Sequence, residues 1–230
     1  MSQEYCQFDK NGNVLTISGL ISKSDQTCRV IESLYKFYQE HRSFAMKCNN
    51  AKPKTRKRDK IDVLAEHDMA TQTVNTTDVE SQTISDDELI KSYQKNTVYV
   101  YINSPGGNIM VAFNIYDCLN SIKRLGFNIE VITYGECKSA AVLILLAGTT
   151  RLSSPRCDFL IHKTINNFSN IRHDDMIWFC NRAKSIYQDI LTEYMKISTV
   201  SREELEEIMS AEQILTSTRM MELGFIEDII

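Results

Sequence analysis

Several things are missing from this chain, and each absence removes a class of protein. No stretch approaches the roughly 20 consecutive apolar residues of a membrane-spanning helix. The opening residues, Met1-Ser-Gln-Glu-Tyr-Cys6, hold no apolar segment of the secretory-signal kind. No C-x-x-C pair occurs, and the seven cysteines are scattered and odd in number. That argues against a disulfide framework or a zinc site and for free thiols in a reducing compartment. A formal net charge of -4 over 230 residues is too small to make nucleic acid or an anionic membrane the main partner. No repeat of fixed long period is found. What is present is enough for a folded domain: 43% of the residues are hydrophobic, and a chain of this length can bury a substantial core.

The organising stretch is residues 98–146. An apolar run, Val98-Tyr-Val-Tyr-Ile102, breaks into Asn103-Ser-Pro-Gly-Gly107, and a helical pattern follows. A second apolar run over 129–134 leads into Gly135-Glu-Cys-Lys-Ser139, read as a turn, and then into an apolar helix over 140–146. The order is strand, glycine turn, helix, strand, turn with a serine, helix. Upstream, residues 13–19 predict a first strand. Ser24 or Asp25 caps a helix to about residue 44, with Val30, Ile31, Leu34, Phe37 and Tyr38 on one face. Residues 47–95 lack apolar periodicity and are expected to form a flexible surface insertion, with a short helix over 86–93. Its basic run over 52–60 reads as a solvated loop, since no aromatic residues interleave with the charges.

Downstream, residues 150–154 read as a link and 157–161 as a short strand that delivers His162. A long helix over 174–196 carries an apolar stripe of Met176, Ile177, Cys180, Ala183, Ile186, Tyr187, Ile190, Leu191 and Tyr194. Ser201-Arg-Glu-Glu204 is a capping box for a helix through 209. A last helix over 217–223 stops at Gly224, and 225–230 closes the chain as a strand. Strands alternating with helices predict an α/β fold.

Ser139 and His162 are the residues able to carry chemistry. A serine nucleophile needs a base in hydrogen-bond reach, an acid to orient that base, and N–H donors for the oxyanion. Pattern alone leaves the bland alternatives open: a serine at a helix start is commonly an N-cap, and a lone histidine after a strand is commonly structural. The turn is not the G-x-S-x-G elbow of α/β-hydrolases. Lys138 beside the serine raises the thought of a serine/lysine pair, but adjacent residues usually point apart.

Taken together, Asn103-Ser-Pro-Gly-Gly107, Ile115-Tyr-Asp117, Gly135-x-x-x-Ser139, Leu145-Leu-Ala-Gly148 and Leu160-Ile-His162 resemble the proteolytic subunit (ClpP) family of the Clp protease. So does the ending from Ala211-Glu-Gln-Ile-Leu-Thr216 through Met221-Glu-Leu-Gly-Phe-Ile-Glu-Asp228. The resemblance takes in residues 13–44 and 97 to the end. It implies an α/β fold of the ClpP/crotonase-like kind, a spiral of βαβ units with a projecting handle helix, as one peptidase domain over 1–230.

The resemblance further implies a serine endopeptidase that cuts peptides or unfolded proteins inside an oligomeric chamber through an acyl-enzyme on Ser139. His162 is then the general base, and the backbone N–H groups of Gly107 and Ala140 form the oxyanion hole. The family's acid is an aspartate; counting back from Gly224 puts Glu212 in its place. No metal or cofactor is implied in this chain, ATP entering only through a partner AAA+ unfoldase. The other implied partners are further copies, in a heptameric ring or stacked pair joined by the long helix, and polypeptide substrates. The cytoplasm, an organelle stroma or a phage-infected cytoplasm is the implied location. Two other readings stand beside this one: a catalytically silent subunit of a mixed ring, and a crotonase-like acyl-CoA enzyme, which would not need the Ser139 and His162 blocks.

Overall fold

A computed structural model of the chain describes residues 5–9, 12–23, 25–51, 96–164 and 172–230, and at 5, 25 and 43–51 the backbone alone. The element order is β1 (Tyr5–Asp9), β2 (Val14–Ser18), α1 (Asp25–Ala51), β3 (Thr97–Ser104), α2 (Ile109–Lys123), β4 (Asn128–Lys138), α3 (Ala140–Leu145) and β5 (Thr150–Ser153). It continues through β6 (Asp158–Leu160), α4 (His173–Met195), α5 (Arg202–Ala211), α6 (Ser217–Glu222) and β7 (Asp228–Ile229). Ser24, the predicted helix over 86–93 and the insertion from 52 onward lie outside the described residues.

One sheet of seven strands runs β1-β2-β3-β4-β5-β7, with β6 also paired to β4. β1 and β2 form an antiparallel hairpin. Every other pairing is parallel, so helices must carry the chain back between strands. The βαβ units expected from the alternating pattern are present, and the fold is the α/β ClpP-like one. β3 alternates between buried and half-buried side chains, with Val98, Val100 and Ile102 wholly inside. α2 buries Val111, Ala112, Ile115, Cys118, Leu119 and Ile122 in the same core. Its start is fixed by Asn108, whose side chain accepts from the N–H groups of Met110 and Val111. α3 is buried on every side, as expected of a helix without a polar face.

Four local readings are corrected. A strand, β1, precedes the expected first one. Residues 150–153 form β5 rather than a link, held between β4 and β7. The stretch 135–138 is strand rather than turn: β4 runs through Gly135 to Lys138. Helix α1 continues past residue 44 to Ala51. The stripe on α4 divides in two. Ile190, Leu191 and Tyr194 are buried in this chain, while Met176 and Ile177 near the other end are 51% and 73% exposed, as is Trp178 beside them, outside the stripe, at 61%.

Candidate active site

Ser139 sits where β4 ends and α3 begins. Its backbone has φ 53° and ψ −122°, a left-handed conformation that costs a non-glycine residue of order 1–3 kcal/mol and that clusters at active sites. The N-cap alternative does not hold, because the hydroxyl makes no capping bond to α3. It lies instead 2.7 Å from His162 Nε2. In the tautomer with the ring proton on Nδ1 the hydroxyl donates to Nε2, the arrangement in which an imidazole can take its proton.

Two strands bring this pair together. β6 lies parallel to β4, with Lys138 opposite Leu160, and the N–H of Ser139 donates to the carbonyl of Leu160 at 2.7 Å. The nucleophile candidate at the end of one strand and the base candidate just past the end of its neighbour are therefore locked in step. β6 is held from its other side as well. Phe159 and Leu215 exchange two backbone hydrogen bonds, of 2.9 and 2.8 Å.

Room for the strained turn comes from the loop after β3. A Cβ on Gly106 would stand 2.6 Å from the carbonyl oxygen of Lys138, 2.7 Å from Ser139 Cβ and 3.1 Å from the nitrogen of Ala140. The Gly106-Gly107 turn thus lies directly on the turn that carries the serine. In a G-x-S-x-G elbow the glycines flank the serine in sequence; here the needed glycine comes from another loop. Ile21 donates to the carbonyl of Gly106 at 2.7 Å, and Asn108 donates to the carbonyl of Ile21 at 2.7 Å. In such a bridge the N–H of Gly107 points away from Ile21. The missing Cβ of Gly107 is required by Ile21 too, whose carbonyl oxygen it would meet at 2.2 Å, rather than by close approach of a substrate. The amides of Gly107 and Ala140 consequently lie on two turns in mutual contact, both first-turn or pre-helical positions without an intrahelical acceptor.

The neighbours sharpen the assignment. Lys138 points its ammonium at Glu136, 2.8 Å away, and at Asp158, 3.9 Å away. The hydrogen bond it donates to Glu136 and the two carboxylate charges hold the ammonium above its usual range, so it stays protonated and is no base. Burial pushes the thiols of Cys137 and Cys157 up, which keeps them out of the reactive thiolate form.

Among the described residues no hydrogen bond or ion pair joins Glu212 to His162. It is the C-cap of α5, in a left-handed conformation with φ 50° and ψ 36°, and is exposed. Among the described residues His162 has no acid on its second nitrogen. Asp174 and Asp175 lie in the first turn of α4, where Asp175 pairs with Arg172 at 2.8 Å. Sequence reading missed Gly106 and the side chain of Asn103, which accepts from the N–H of Glu136 at 3.1 Å. The paired glycines were the visible signal for the first. No pattern in the chain pointed to the second.

Comparison with known proteins points to one family. The chain is 31% identical to the ATP-dependent Clp protease proteolytic subunit 4 of Streptomyces avermitilis over 138 residues, which is 58% of each chain. It is 29% identical to the ATP-dependent Clp protease proteolytic subunit 2 of Streptomyces coelicolor over 135 residues, 58% of this chain and 61% of the relative. Against the ATP-dependent Clp protease proteolytic subunit 1 of Thermobifida fusca the identity is 27% over 135 residues, 58% of this chain and 60% of the relative. The alignments thus span 58 to 61% of those relatives' length. The family model described as Clp protease matches residues 54–230. Matched by that model over well more than half of its length, the chain belongs to the Clp protease family.

Proposed function

We propose that the chain is a serine endopeptidase of the ClpP type. Ser139 Oγ attacks the substrate carbonyl while His162 Nε2 takes the hydroxyl proton. The tetrahedral oxyanion rests on the N–H groups of Gly107 and Ala140. Collapse expels the amine, which leaves with the proton from His162, and water then frees the acyl group from Ser139 by the reverse route. The single observation that carries this reading is the 2.7 Å contact of Ser139 Oγ with His162 Nε2 across two paired strands. No cofactor takes part in this chain; ATP enters only through a partner AAA+ unfoldase. The exposed Met176, Ile177 and Trp178 of α4 support self-association into a ring or stacked rings around a chamber for polypeptide substrates.

A second reading has one observation in its favour. The lack of an acid bonded to His162 among the described residues, with Glu212 an exposed helix cap, supports a silent subunit in a mixed ring. A fluorophosphonate probe and a fluorogenic peptide separate the two. The peptidase reading expects labelling at Ser139, turnover, and loss of both in Ser139→Ala and His162→Ala by about 10⁴-fold or more. Absence of labelling and turnover in the assembled wild-type protein would establish the silent subunit instead. Glu212→Gln then reports on the acid: an orders-of-magnitude loss means that Glu212 reaches His162 in the working assembly, and unchanged turnover means that the dyad works without it.

A further inference from the structure

We infer that Asn103 is a positioning residue for the serine, acting as a plug that fixes the distance between the oxyanion turn and the strand that ends in Ser139. The inference rests on the peptidase reading above. β3 and β4 run in register up to the pair Ile102 and Thr133, and register resumes at Ser104 and Cys137. Tyr134, Gly135 and Glu136 of β4 therefore lie opposite Asn103 alone. Such a bulge leaves amides without a partner on the neighbouring strand, and bulges beside active sites re-aim the residues that follow.

The side chain of Asn103 fills this one. Its Oδ1 accepts the N–H of Glu136 at 3.1 Å. Gly135 stands at φ +65°, and a Cβ there would be 2.6 Å from the same Oδ1 and 3.0 Å from Cγ. Glycine and asparagine are thus fitted to one another. The backbone of Asn103 is fixed from the opposite edge, where its carbonyl accepts from the N–H of Gly19 at 2.9 Å. The next residue, Ser104, is buried, donates to the carbonyl of Gly19 at 2.6 Å and accepts from the N–H of Gly106 at 3.1 Å. Asn103 accordingly joins two pieces that must not slide. On one side is the turn with Gly106 and Gly107; on the other is the last stretch of β4, from Glu136 to Lys138. Each residue of a strand advances the chain by about 3.3 Å, so relaxation of a bulge of this size can displace Ser139 by an ångström or more relative to the amides that would hold the oxyanion. A misplacement of that order costs about 100-fold in rate.

The experiment compares wild type, Asn103→Ala and Asn103→Asp, each assembled, by the rate of fluorophosphonate labelling at Ser139, by kcat and KM on one fluorogenic peptide, and by thermal melting. Aspartate keeps an acceptor oxygen at the same place, and alanine does not. The expected result is about a 100-fold fall in labelling rate and kcat for Asn103→Ala, with KM changed by less than about threefold, and recovery in Asn103→Asp to within about tenfold of wild type. Asn103→Ala labelling at the wild-type rate overturns the inference. So does Asn103→Asp falling to the level of Asn103→Ala. If Asn103→Ala does not fold, Asn103→Asp decides alone: near-wild-type labelling supports the plug, and a hundredfold loss overturns it. A wild-type protein that neither labels nor cleaves removes the peptidase reading and this inference with it, whereas an active wild type with an indifferent Asn103→Ala removes this inference only.

Discussion

Gly106→Ala tests whether two loops in contact make the site. Its φ of +98° is nearly the +94° of Gly126, but the surroundings differ completely: a Cβ on Gly126 would have nothing within 4 Å. Alanine at either position pays the same backbone strain, about 1–3 kcal/mol, and both gain the same few tenths to 1 kcal/mol from a less flexible unfolded chain. Only at 106 does the new methyl run into backbone, at 2.6 Å from the oxygen of Lys138 and 3.1 Å from the nitrogen of Ala140. Neither of these atoms can rotate away, so the turn carrying Ser139 must shift. Overpacking of this kind costs a further ~1–3 kcal/mol. Gly126→Ala should therefore lower Tm modestly and leave kcat at the wild-type value. Gly106→Ala should lower Tm by several degrees more, at roughly 2–4 °C per kcal/mol for a chain of this size, and should lower kcat by about 100-fold through misplacement of the serine. Melting curves and peptide turnover of the two variants decide it. Equal activity in the two would refute the claim that the Gly106-Gly107 turn bears on Ser139.

Three further outcomes follow from the same geometry. Lys138→Met should lower turnover by less than about tenfold and leave the pH profile in place, against the 10²–10⁴ that a general base contributes, because the ammonium is held protonated by Glu136 and Asp158. Asp117 has its carboxyl held above the usual range, first by burial and then by the charge of Glu193, with Arg124 opposing. A raised folded-state value means that stability falls as pH climbs through it, so Asp117→Asn should raise Tm at pH 7 and leave it unchanged at pH 3; a lower Tm at pH 7 would contradict the sign. Trp178 is the only tryptophan, and its emission should move to shorter wavelength as protein concentration drives assembly. An unshifted spectrum over a range where sedimentation shows association would place the contact elsewhere.

The elements read correctly from sequence were those with a local physical signature. Ser201 caps α5 by accepting from the N–H of Glu204 at 3.2 Å, and Gly224 ends α6 with φ +83°. α2 and β3 showed the two apolar periods plainly. The misread elements take their identity from a neighbour. β5 has the sequence Thr-Arg-Leu-Ser, too short and polar to show alternation, and it is a strand only because β4 and β7 lie on either side. The glycine at 135 signalled a turn, because nothing local distinguishes a turn from a bulge filled by a side chain 32 residues earlier in the chain. On α4 the period was right, and the stripe is buried at one end only. Periodicity reports an apolar face and not whose surface covers it.

The contact of Ser139 with His162 follows from the strands that carry them, and the place of Glu212 does not, for a reason that lies in how each is held. Ser139 and His162 lie at the ends of adjacent paired strands, so a count of residues along each strand fixes their separation. Glu212 was placed by counting back from Gly224. That count is reliable only as far as Leu215, where two hydrogen bonds to Phe159 fix the chain beside β6. Before Leu215 come Gln213 and Ile214, both exposed, and then the left-handed cap of α5. The position of Glu212 is therefore set by where α5 stops rather than by the sheet. A non-glycine residue in this conformation costs only about 1–2 kcal/mol, comparable to one hydrogen bond from a charged group. A carboxylate gaining an imidazole N–H can offset an energy of that size, which makes the end of α5 the element whose rearrangement would bring an acid to His162.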